Sequence, residues 1–124
     1  MKYISLILMA IVAMAFTACK SSDYDPDKVA EYVAKYNEQS EDAFSPEEAE
    51  EVAVLVIGYY NDKADFNKMI AGETDPDTRA SKEGVFKNEH VNGNKIVNVY
   101  NEVKGILPQE TRMRVEKAKV LAGN

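Results

Sequence analysis

The sequence of 124 residues predicts a small all-α bundle of about four to five helices. Three observations carry that expectation. A capping side chain stands directly before proline at Asp25-Pro26, Ser45-Pro46 and Asp75-Pro76, and this pairing marks a helix start. Apolar residues then recur at i, i+3, i+4 and i+7. Finally, 45% hydrophobic residues with 29% charged excludes wholesale disorder, and the length allows one domain.

The spacing predicts a first helix over residues 26–39. Asp25 caps it, Pro26 fits its first position, and Asp27 suits the positive end of the helix dipole. Val29, Tyr32, Val33 and Tyr36 form its apolar stripe, with Glu31, Lys35 and Glu38 off it.

A second helix is predicted over residues 46–71. Ser45 and Glu48 have capping-box spacing, and Phe44 precedes the cap as a staple against Ala49 and Ala53. Its stripe runs Val52, Val56, Tyr59, Phe66 and Ile70, with Lys63 the polar member. Residues 52–57 are apolar on every side, so this helix should be central. A strand over 52–57 competes, and the cap upstream argues against it. Gly58, which costs about 1 kcal/mol against Ala in a helix interior, reads as a close-packing point or a slight bend.

A third helix should start at Pro76, with Ala80, Val85 and Phe86 as its poor apolar content and Gly84 inside. Asn92-Gly93 ends it. The same dipeptide is a hairpin signal, but pairing across it would set Glu89 against Ile96 and Asn88 against Val97. Residues 85–100 therefore read better as helix. Asn94 is the expected cap of a fourth helix with the stripe Ile96, Val99, Tyr100, Val103 and Leu107. The last segment, Pro108 to Leu121, carries Met113, Val120 and Leu121 as its apolar residues. Arg112, Arg114, Lys117 and Lys119 make it mainly a solvated face.

Ahead of the bundle, Met1-Lys2 is followed by an apolar run from Tyr3 to Phe16 broken only by Ser5. That run is shorter than the ~20 residues of a spanning helix and has the layout of an export signal. The adjoining Phe16-Thr17-Ala18-Cys19 resembles the lipobox of bacterial lipoproteins, with Phe where that family usually has Leu. The resemblance implies that Met1–Ala18 is removed and that Cys19 carries acyl chains, palmitate among them. It implies a lipidated tether over 19–25 and a helical domain over 26–122. Lys20 occupies the position where Asp favours inner-membrane retention, so the resemblance points to the outer membrane. The run Lys20-Ser21-Ser22-Asp23 is similar to the surface-export signal of Bacteroides-type lipoproteins. All of this covers residues 1 to about 25 and leaves the folded domain unidentified.

Composition narrows the chemistry. A net charge of −6 argues against a nucleic-acid binder. One Cys excludes an intrachain disulfide, a four-Cys zinc site and a CxxC pair. His90 is the single His; no GxSxG or HExxH motif exists, and a solvated His without partners is expected so near a turn. Asp23-Tyr24-Asp25-Pro26-Asp27 opens like a calcium loop, but Lys28 and Ala34 stand where Gly and Glu are required. No catalytic residue, metal or cofactor is expected. The five tyrosines Tyr32, Tyr36, Tyr59, Tyr60 and Tyr100 read as core with hydroxyls at the rim, Tyr60 being the most exposed.

Charge is unevenly divided. Residues 19–76 carry a net −10 and residues 77–124 a net +3. Glu47, Glu50 and Glu51 are the candidate surface for a protein partner with a basic face. They also complement a helix start, which is the plainer reading. The expected function is a lipid-anchored, non-catalytic binding or accessory protein of the outer membrane. The alternatives are an inhibitor or immunity-type protein that blocks an exported enzyme, and a small carboxylate-based hydrolase.

Overall fold

A computed structural model describes residues 23–123. The expected export signal and Cys19 lie outside the described residues. Within them the chain forms five α-helices and no strand: α1 (Pro26–Gln39), α2 (Pro46–Ala71), α3 (Pro76–Glu89), α4 (Gly93–Val103) and α5 (Gln109–Leu121). Short 3₁₀ turns at Glu41–Ala43 and Lys104–Ile106 join α1 to α2 and α4 to α5. No described helix is long and apolar enough to cross a membrane.

The caps set the helix starts. The Asp25 side chain accepts from the Asp27 and Lys28 backbone N–H groups, which α1 would otherwise leave unpaired. At α2 the capping box is complete. Ser45 Oγ accepts from the Glu48 N–H at 3.1 Å, and Glu48 returns a bond to the Ser45 N–H at 3.0 Å. Asp75 caps α3 through the Thr78 N–H. The α4 start differs from the expectation: Asn92, not Asn94, holds the cap position, and it makes no side-chain cap bond. The helical reading of 85–100 holds, with the helix break at His90–Asn92.

α2 is the central element. It packs against α4 on one side and α5 on another, while α1 closes over α4. Val29, Val52, Val56, Ile96, Val99 and Val115 are sealed from solvent and form the middle of the core. Two expectations about burial are corrected. Tyr60 is 4% exposed, because α5 covers the side of α2 that Tyr59 leaves open. In α5 the buried residues are Thr111, Val115 and Ala118, followed by Ala122. These recur at i, i+4, i+7 and i+11 and turn Met113, Val120 and Leu121 outward.

α3 is peripheral. It contributes no buried residue. Its start is held by polar bonds: Arg79 donates to the carbonyls of Ile70 and Glu73 at 3.2 Å, and Lys82 pairs with Glu73 at 3.0 Å. Its end is held by Phe86, whose ring packs at a tilt on Phe66 of α2 at 4.7 Å.

Candidate functional site

The residues before α1 belong to the folded domain. Tyr24, expected in the tether, is 7% exposed. Its ring packs on Tyr59 at 5.9 Å and on His90 at 4.7 Å, and its hydroxyl accepts from the Asn92 backbone N–H. Burial pushes the Tyr24 hydroxyl up to about 12. Gly58 is what admits this segment. A Cβ there would stand 2.4 Å from the Tyr24 nitrogen and 2.6 Å from the Asp23 carbonyl carbon. The close-packing reading of Gly58 is thus the correct one, and its partner is a short strap, residues 23–25, laid across α2.

The strap and α2 form the two walls of a groove of about 320 Å³. Asp23 and Asp25 come from the strap side, Glu50 and Glu51 from α2. Lys28 of α1 is the cation in the lining, and Val54 and Leu55 are the apolar floor. Glu47 lies one helical turn before Glu50 and Glu51 on the same face and is exposed. The groove therefore takes in Glu50 and Glu51 with Asp23 and Asp25 of the strap, while Glu47 stands on the same helix face outside its lining.

These carboxylates are unequal. Glu50 accepts from the Thr111 hydroxyl of α5 at 2.9 Å. Glu51 accepts from the Tyr32 hydroxyl and lies 3.9 Å from the Lys28 ammonium. Burial, and then the hydrogen bond to Glu51, push the Tyr32 hydroxyl well above its ordinary range. Glu48, one position away, is drawn out of the set. Its hydrogen bond to Lys35 at 2.6 Å, helped by the capping bond to Ser45, holds its carboxyl below the ordinary range. Glu50 and Glu51 each keep a second oxygen beyond these bonds, and Glu47 and Asp23 are solvated.

On the other flank of the strap lies a cleft of about 580 Å³ whose walls include Tyr24, Asp62, Phe66, Phe86 and His90. His90, expected to be solvated and without partners, is instead half-buried, and both its ring nitrogens are engaged. Its side chain is 7% exposed, Nδ1 lies 2.9 Å from the Phe86 carbonyl, and Nε2 lies 2.8 Å from Asp62 Oδ2. The ring stacks on Phe86 at 4.1 Å. A carbonyl can only accept, so Nδ1 donates to Phe86, while Nε2 is paired with the Asp62 carboxylate. Both nitrogens are thereby occupied, and neither is turned to the cleft as a free base. The clamp ties the end of α3 to α2. It was missed because Asp62 is 28 positions away in sequence, and a lone Asp on a helix gives no signal of its own.

Among the described residues, no group of three His, Cys, Asp or Glu side chains is placed to hold a metal ion. A scan of family models, a search of curated proteins and a search of solved structures each found no match to the chain.

Proposed function

We propose that this chain is a lipid-anchored, non-catalytic binding protein of the bacterial outer membrane, held by acyl chains on Cys19. Its binding surface is the acidic groove, and its partner is a protein with a basic face. The observation that carries the reading is the assembly of that groove from two segments. Asp23 and Asp25 on the strap face Glu50 and Glu51 on α2, with Lys28 the cation among them. Carboxylates that only completed a helix start would not need a second wall. An apolar floor between charged walls suits the aliphatic stem of a Lys or Arg, with its head between the carboxylates.

The anchor keeps the domain close to the membrane. With Tyr24 fixed to α2, the segment from Cys19 to Tyr24 reaches roughly 17 Å at most. An exported enzyme with a basic active-site rim is one partner of this chemistry, and the inhibitor reading differs only in what that partner does.

The test uses the mature chain in native membranes. Cys19→Ala should no longer float with membranes, and persistence after a high-salt wash would contradict the anchor. Glu47→Lys with Asp23→Lys reverses two solvated acids without breaking the bonds of Glu50 or Glu51. The pair should abolish capture of a basic protein that the wild type retains and that salt weakens. Capture unchanged by both substitutions and by salt would overturn the groove.

A further inference from the structure

The outward ridge of α5 differs from the rest of the surface. Four large apolar residues of the described chain are more than 60% exposed, and three of them are on α5: Met113 at 61%, Val120 at 70% and Leu121 at 67%. Met113 and Val120 are seven residues apart, so they share one side of the helix, opposite the buried Thr111, Val115 and Ala118. Arg112, Arg114, Lys117 and Lys119 flank this ridge, against Glu110 and Glu116. The ion pairs among the described residues all lie between residues 28 and 90, so none of these four cations is held by a described carboxylate.

We infer that the α5 ridge rests on an anionic phospholipid surface. Its apolar side chains enter the headgroup boundary and its cations pair with lipid phosphates. The inference rests on the proposed anchor, which keeps such a surface within reach. Size and charge both favour lipid over a second copy of the chain. A helix of 13 residues offers a ridge about 20 Å long and about 10 Å wide, far below the roughly 800 Å² per partner of a stable protein interface. A second copy would also bring Arg and Lys against Arg and Lys, whereas anionic headgroups answer both the charge and the apolar tips. Contact through α5 places its four cations toward the membrane. None of the ridge residues lines the acidic groove of Asp23, Asp25, Glu50 and Glu51, so this contact leaves the groove open to a partner.

The chain contains no Trp, so Val120→Trp creates a single fluorescent reporter on the ridge. Val85→Trp, at a 53% exposed position on α3, is the control. The mature lipidated chain carrying each substitution is reconstituted in phosphatidylcholine vesicles with and without phosphatidylglycerol. With phosphatidylglycerol, the Val120→Trp emission should shift to the blue and be quenched by brominated lipid, while the control does not change. Adding Arg114→Glu and Lys117→Glu should weaken that contact about tenfold or more, given the worth of each cation near an anionic surface. Vesicle-bound protein whose Val120→Trp emission is the same in both lipids and unquenched overturns the inference. So does a blue shift that rises with protein concentration without lipid quenching, which would mean that a second copy covers the ridge. Protein that floats with neither vesicle overturns the anchor instead, a separate result.

Discussion

α2 and α3 start alike and end up opposite. Each opens with a capping side chain followed by proline, and each ends close to a glycine or an Asn-Gly pair. Yet α2 buries nine residues along its length and α3 buries none. The contrast shows that cap chemistry and burial are independent instructions. Caps fix where a helix begins by supplying acceptors to orphan N–H groups; they say nothing about how much apolar surface the helix can offer. α2 is held by its core, and α3 by the His90–Asp62 clamp, the Phe86–Phe66 contact and the polar bonds of Arg79 and Lys82.

The largest effect that would break the comparison is Val56→Asp. Val56 is sealed from solvent, and an unpaired carboxylate there should cost several kcal/mol. Chemical denaturation should show the domain unfolded or nearly so. The same change at Val85, 53% exposed on α3, should lie within about 0.5 kcal/mol of wild type.

Gly58→Ala comes next, and two effects oppose each other. Helix propensity favours Ala by about 1 kcal/mol. The new Cβ, however, meets backbone atoms of the strap at 2.4 and 2.6 Å, and displacing the strap exposes Tyr24, whose burial is worth about 1.5–3 kcal/mol. The loss should exceed the gain. A lower melting temperature with faster proteolysis near Tyr24 is expected; a higher melting temperature would show that the strap is not needed.

The caps give a finer test. Ser45→Ala should cost about 1 kcal/mol of global stability, because α2 is part of the core. Asp75→Ala should leave global stability nearly unchanged and instead raise amide exchange within α3, since a peripheral element opens locally. Equal losses in the two variants would mean that α3 unfolds only with the rest of the domain.

The smallest effect is a pH dependence. The Glu48 carboxyl is held below its ordinary range by Lys35. The unfolded chain therefore binds that proton first as pH falls. The stabilisation is complete above the ordinary carboxylate range and is lost as pH drops through the lowered folded value. Lys35→Met should flatten the acid limb of a melting-temperature profile taken between about pH 5 and pH 2, and an unaltered limb would contradict it.

Much of the architecture was legible in the sequence because its punctuation is strong. Pro26, Pro46 and Pro76 each sit at the first position of a helix, behind an oxygen-bearing cap. What escaped was set by partners distant in sequence. Tyr24 looked like tether until Gly58, 34 positions on, opened a place for it. His90 looked solvated because its partners Asp62 and Tyr59 reach it from another helix. The α5 register was read from its largest apolar residues, Met113, Val120 and Leu121. The helix instead turns its small ones inward, since Ala118 and Ala122 allow close approach to α2. The acidic row Glu47, Glu50 and Glu51 was visible as a helix face. Its second wall, Asp23 and Asp25, was not, because only the docking of the strap creates it.

The most direct test of the proposed function is cross-linking in native membranes with the mature chain, wild type against Glu47→Lys with Asp23→Lys. The account predicts one basic protein captured by the wild type, lost in the doubly reversed variant and reduced by salt, with both chains folded and floating alike. The same protein captured equally by both would contradict a groove that recognises its partner by charge.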